Sequence, residues 1–190
     1  MNDNYVDDTE FKSVDYSKKR LEIGEYDNCT FINCNFSNSD ISNITFVECE
    51  FIDCNISSTR VKNTGFKTIK FTDCKLLGVK FFECDEFLLS VSFDNCQLNF
   101  ASFYQLKLKN THFKDSNLTE AGFTETNLTN SFFDNCDLNK TVFDAATLDK
   151  VDFRTARNYN IDLELNKAKN AKFSLDGVRG LLDKYDVVIE

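Results

Sequence analysis

The chain has no tryptophan, no proline and a single histidine among its 190 residues. It also has no run of eighteen apolar residues, which excludes a membrane-spanning helix. P-loop, GxSxG and zinc-protease signatures are absent. The lone His112 sits just before a large apolar residue and is expected to point outward. The carboxylates have no evident cleft in which to be perturbed. No catalytic residue, cofactor or metal site is therefore expected. The N-terminus, MNDNYVDDTEF, lacks the basic and apolar regions of a secretory leader, so the expected location is the cytoplasm. Bases are scarce, 22 against 31 acids, for a formal charge of −9. That balance argues against direct contact with nucleic acid and suits a basic protein partner.

What the chain does have is phenylalanine, 20 residues of it, in a short repeat. FINC at 31–34 returns as FIDC at 51–54, FTDC at 71–74, FDNC at 93–96, FKDS at 113–116 and FDNC at 133–136. Within that twenty-residue spacing lies a period of five. Every fifth residue from Tyr26 to Phe81 is large and apolar, and from Phe93 to Phe153 the same position alternates Phe and Leu. Neither a helix nor a strand has that period; a short fixed repeat indicates a solenoid. Two residues before each of these centres stands a small or β-branched residue, such as Cys34, Thr59, Ala101 or Ser131, with exceptions at Ile44, Ile69 and Leu106. Each pentad thus turns one large and one small side chain inward and three outward. Seven of the eight cysteines occupy the small position, so they read as buried reduced thiols rather than disulfides or zinc ligands.

This pattern resembles the pentapeptide-repeat family over residues 26–173. The resemblance implies an all-β fold, a right-handed quadrilateral β-helix in which four pentads make one square coil, about eight coils in all. Residues 1–25 are expected to form an N-terminal cap with room for a first coil, although Lys19 and Gly24 depart from the small-residue pattern. The step from Phe71 to Phe93 is 22 residues, placing a two-residue insertion within 83–91. The pattern loosens again over 154–166, where Asn158 falls on a centre. Residues 174–190 are expected to form a terminal helix, capped by Ser174, and a short strand at Val187-Val188-Ile189. They would close the last coil or join two copies through Val178, Leu181, Leu182, Tyr185, Val187, Val188 and Ile189.

The unbroken solenoid of about 190 residues, its mid-chain irregularity and its ending NKAKNAKFSLDGVRGLLDKYDVVIE resemble a narrower group, the Qnr-type quinolone-resistance proteins and the microcin-immunity pentapeptide protein. That resemblance implies a homodimeric rod that imitates duplex DNA, binds DNA gyrase and often topoisomerase IV, and protects them from quinolones or peptide toxins. The chain departs from members with long projecting loops, since it has only about two extra residues. On the face of Phe31, Phe51 and Phe71, the outward acids Glu50, Asp53, Asp73, Asp94, Asp115, Asp134 and Asp152 outnumber Lys70, Lys114 and Arg154. This acidic edge is the expected partner-binding surface. Duplex DNA carries about one charge per 1.7 Å, so the rod would match its shape better than its charge. Asn33, Asn95 and Asn135 share a repeated site with Asp53, Asp73 and Asp115, which suits a backbone turn equally well. Two alternatives remain open at this point: a scaffold for another basic partner, and a passive structural solenoid.

Overall fold

The computed structural model describes residues 4–188, and they stack as a four-sided parallel β-solenoid. One side is a four-stranded sheet of β1 (Tyr5–Asp7), β3 (Glu25–Asp27), β5 (Thr45–Val47) and β7 (Gly65–Lys67). The next is a seven-stranded sheet of β2 (Glu10–Lys12), β4 (Thr30–Ile32), β6 (Glu50–Ile52), β8 (Ile69–Thr72), β9 (Val91–Asp94), β10 (His112–Lys114) and β11 (Phe132–Asp134). The other two sides are ladders of isolated parallel bridges, for example Asn35↔Asn55↔Lys75↔Gln97 and Lys80↔Ser102↔Gly122↔Val142. Partners lie twenty residues apart, as in Phe31↔Phe51, and 22 apart across the irregular coil, as in Phe71↔Phe93.

The strands of the larger sheet make about six turns, fewer than the eight coils expected. Bridges Phe132↔Asp152 and Asp152↔Lys172 extend the same side by two more. The first coil is a full square: Tyr16 and Leu21 are buried, and Val6 and Phe11 pack against them.

Local sequence decides whether a side becomes a strand or a turn. Where Asn or Asp precedes the centre, its side-chain oxygen accepts the amide two residues on, as in Asn117 with Thr119 (2.9 Å) and Asn127 with Thr129 (3.1 Å). That Asx bond folds the pentad into a turn. In the strands the position is held by Thr30, Thr45, Glu50 or His112, which offer no such bond. Most corners adopt a left-handed conformation, from Asn28 (φ 49°) and Asn33 (φ 51°) to Asn130 (φ 61°). Asn and Asp tolerate it better than other L-residues.

The core is a ring lattice. Phe93, Phe113, Phe133, Phe153 and Phe173 stack at centroid distances of 5.2, 4.8, 5.1 and 5.3 Å. A second column, Phe103–Phe123–Phe143, meets the first edge-on, as in Phe113–Phe123 at 5.8 Å and 89°. Offset and edge-on pairs are the favoured aromatic geometries. Each buried ring contributes roughly 1.5–3 kcal/mol.

The small inward position has a second task. At many centres the carbonyl accepts from the small residue of the next coil, 23 positions on, or 25 across the insertion. Thr59 donates to Phe36 O (2.7 Å), Thr126 to Phe103 O (2.7 Å) and Ser131 to Leu108 O (2.7 Å). Cys54 and Cys74 do the same to Phe31 O and Phe51 O, both at 3.3 Å. Cysteine is thus a short side chain with a weak donor as well as a buried hydrophobe. Burial pushes the Cys49, Cys96 and Cys136 thiols up to about 12, so they are protonated and unreactive at neutral pH.

Both irregular regions have physical causes. At 83–91 the coil bulges: Glu86 occupies a centre position but faces solvent with Phe87 and Leu88. At Asn158 the register slips by one. Asn158 turns outward at φ 60° and donates to Asp137 (2.9 Å), and Tyr159 fills the interior.

Candidate partner-binding surface

The predicted acidic edge lies along one side of the rod, and most of its charge is already paired. Glu50 meets Lys70 at 2.7 Å and Asp94 meets Lys114 at 2.9 Å. Asp134 contacts His112, which lies at the surface. Asp152 is buried, held by Arg154 at 2.7 Å and by Lys172 at 3.7 Å. That fork of hydrogen bonds holds the Asp152 carboxyl below its ordinary range, against an opposing push from burial. Asp53, Asp73 and Asp115 occupy left-handed corners at φ 52°, 55° and 49°. Asp73 and Asp115 accept from Asn95 and Asn135, each at 2.6 Å. Asp115 also lies 3.6 Å from Lys114. The corner aspartates are thus turn formers, and the outward charges form ladders of alternating sign.

A stronger uncompensated field lies on the adjacent side, built from β1, β3 and β5. Asp7, Asp8, Glu25, Asp27 and Glu48 all lie at its surface, and none is in an ion pair among the described residues. Asp7 and Asp27 are register partners on neighbouring strands, where like charges repel. The Tyr5 hydroxyl donates to Asp27 at 3.0 Å, and its pKa is raised chiefly by that bond. The charge reading from sequence rested on the side of Phe31 and did not weigh this one. Reading Asp7, Asp27 and Glu48 at intervals of about twenty would have found this one.

The C-terminal segment docks on the last coil. Ser174 Oγ accepts the Gly177 amide at 3.1 Å, as an N-cap should. Two 3-10 turns flank the single helical turn α1 (Arg179–Leu182). Gly180 must be glycine, because an added Cβ would lie 1.9 Å from the Tyr159 carbonyl oxygen. Lys184 clamps the segment to Asp162 (2.6 Å) and Glu164 (2.8 Å), and Tyr185 donates to Glu164 (3.0 Å).

Of the predicted dimer residues, Leu181 packs on the core, and Val178 and Leu182 are half-buried. Tyr185, Val187 and Val188 are exposed, and Ile189 lies outside the described residues. The strand expected at 187–189 is not formed at Val187-Val188, since a lone strand has no neighbour to bond within one chain. Beneath the segment is a shallow polar depression of about 630 Å³, lined in part by Arg157, Tyr159 and Arg179. Among the described residues no cluster of His, Cys, Asp or Glu could hold a metal, and no helix is long and apolar enough to cross a membrane.

Known proteins fit this architecture. A trypsin-treated variant of QnrB1, described as a plasmid-mediated fluoroquinolone resistance protein, superposes with a TM-score of 0.63 at 17% identity. The match covers 98% of this chain and 100% of that one. Full-length QnrB1 superposes at 0.55 and 18% identity, over 97% and 100% of the two chains. No curated protein matches by sequence. The family described as pentapeptide repeat region matches residues 25–86 and 87–162, and the chain belongs to that family.

Proposed function

We propose that the protein is a non-enzymatic, DNA-mimicking rod of the cytoplasm that binds DNA gyrase, topoisomerase IV or both, and shields them from quinolones or peptide toxins. The observation that carries this reading is the end-to-end likeness to QnrB1, at 98% and 100% coverage. The unpaired carboxylates on β1, β3 and β5, with the predicted acidic edge beside them, supply a field for a basic groove. Two copies join through the apolar residues of the C-terminal segment, with Val187-Val188-Ile189 completing the contact.

A gyrase supercoiling assay with and without a fluoroquinolone, across protein concentration, tests the proposal. Supercoiling restored under drug, or inhibited at high protein, supports it; no effect together with no gyrase binding rejects it. Leu181→Glu with Leu182→Glu should yield a monomer by sedimentation, and a persisting dimer would reject the C-terminal contact.

A second reading, a scaffold for some other basic protein, is favoured by one observation: the predicted acidic edge is largely neutralised by Lys70, Lys114 and Arg154. Charge reversal of Glu25 and Asp27 separates the two readings. It should abolish gyrase binding under the first and leave gyrase unaffected under the second.

A further inference from the structure

The side bearing β1, β3, β5 and β7 carries charges of both signs, segregated along the rod. Its N-terminal coils present Asp7, Asp8, Glu25, Asp27 and Glu48. Its C-terminal coils present Lys107, Lys109, Lys150, Lys167 and Lys169 at the surface, against Asp149 alone. None of these joins an ion pair among the described residues, whereas the neighbouring side pairs most of its charges.

Between the two halves stand Phe87 and Leu88, 65% and 64% exposed. Leu88 has φ 59°, a conformation that a bulky side chain adopts at a cost. Lys67 Nζ lies 5.7 Å from the centre of the exposed Phe87 ring, and Leu88 is open to water and strained; two such apolar side chains between stretches of opposite charge have the anatomy of an interface, an apolar centre and a charged rim.

We infer that this side docks on a second copy of the chain, turned end for end about a two-fold axis. Acid-to-base order along a line is self-complementary only in that orientation. The charges also select the register. With the axis between the coil of Phe66 and that of Glu86, Glu48 faces Lys107 and Lys109. Lys67 then faces Asp85 and Glu86, and Asp7 and Asp8 face Lys150 beside Asp149, while Glu25 and Asp27 meet the uncharged Asn127 and Thr129. The two Phe87 side chains lie about one coil, ~4.8 Å, apart along the rod. A shift of half a coil in the axis toward the C-terminus sets Lys67 against Lys107 and Lys109. The opposite shift sets Glu48 against Asp85 and Glu86. Eight coils span ~38 Å and four extended residues ~13 Å, so each copy covers roughly 500 Å². The total of about 1,000 Å² is at the low end of specific interfaces. The association is therefore weak and salt-sensitive. It uses a different surface from the C-terminal contact and covers the Asp7, Asp8 and Glu48 carboxylates offered above to a basic partner, so self-association and partner binding compete.

Sedimentation velocity of the full chain at low and high salt tests this. Low salt should drive association beyond the C-terminal dimer, and high salt should reverse it. Leu88→Asn, which suits the left-handed corner and so preserves the fold, should weaken association at least about tenfold, as for loss of an interface anchor. Glu48→Lys should weaken it, as should Lys107→Glu with Lys109→Glu; mixing those two proteins should restore it between unlike chains. A sedimentation profile indifferent to salt and to Leu88→Asn, or a mixture that fails to restore association, would overturn the inference.

Discussion

The coils before Phe81 and those after Phe93 build one solenoid from different residues. In the first half the inner rings occupy three sides, with Tyr26, Phe46 and Phe66 meeting Phe31, Phe51 and Phe71, and Tyr16 stacked on Phe36 at 4.6 Å. In the second half Phe holds two opposite sides, and Leu98, Leu118, Leu138, Leu108, Leu128 and Leu148 fill the others. The small position is cysteine at five of the eleven sites from 29 to 79 and mostly Thr, Ser or Ala in the second half. Corners before Phe81 are chiefly Asn, Asp and Ser; after Phe93 they include Phe100, Gln105, Lys140, Ala145 and Lys150. The repeat therefore conserves tasks rather than residues: one volume to fill, one carbonyl to satisfy, one left-handed corner to turn.

The largest effect should come from the volume. Phe113 stacks between Phe93 at 5.2 Å and Phe133 at 4.8 Å, with no exposed surface. Phe113→Asp should unfold several coils, because a charge would be buried among rings. Phe113→Ala should cost about 3–5 kcal/mol. An unchanged melting temperature in either variant would sink the stacked core.

The carbonyl contact sharpens the contrast between halves. Thr126→Val removes one of the two donors to the Phe103 carbonyl, which keeps the Leu106 amide at 3.1 Å, and should cost about 0.5–1.5 kcal/mol. Cys54→Ser, which replaces a weak donor by a strong one at the same carbonyl, should cost less than Thr126→Val in chemical denaturation. Equal losses would mean that packing alone governs the small position. Smaller effects of the opposite sign belong to the corners. Phe100, at φ 62° and 57% exposed, and Ala145, at φ 51°, adopt a conformation better suited to Asn or Gly. Phe100→Asn and Ala145→Gly should each stabilise the second half by about 1 kcal/mol. Asn33→Ala should destabilise the first half by a similar amount.

Much of this was legible in the sequence because the interior is periodic. A period of five with a large centre has one packed solution, and Phe31, Phe51 and Phe71 report it directly. The 22-residue step located the bulge for the same reason. The corner role of Asp53, Asp73 and Asp115 was visible in their exchange with Asn33, Asn95 and Asn135. The carbonyl contact was not legible, because Cys, Ser and Thr resemble one another as small residues before the carbonyl 23 positions away is located. The pairing of the acidic edge was hidden too. Charge counts per side sum Glu50 and Lys70 correctly, but only coil stacking shows that they touch, and that Asp7 and Asp27 have no such partner. The first coil was undervalued because Lys19 and Gly24 masked the inward Tyr16 and Leu21.

The smallest effect separates the two halves by acid. Glu50 and Asp152 occupy the same outward column, five coils and one insertion apart. Glu50 shares an exposed pair with Lys70 at 2.7 Å, where water screens the attraction and little stability follows. Asp152 is only 7% exposed and is gripped by Arg154 through both carboxylate oxygens at 2.7–3.1 Å. Its folded pKa lies below the ordinary 3.8, so the unfolded chain binds this proton more readily. The resulting stability is present in full above the unfolded value and is lost as pH falls through the folded one. Thermal unfolding followed from neutral pH into the acid range should therefore show the C-terminal coils weakening below about pH 4. Asp152→Asn should lower stability at neutral pH and flatten that acid limb, whereas Glu50→Gln should leave both unchanged. An acid limb identical in Asp152→Asn and the parent protein would mean that burial outweighs the Arg154 bonds, and that the two carboxylates differ in exposure but not in linkage.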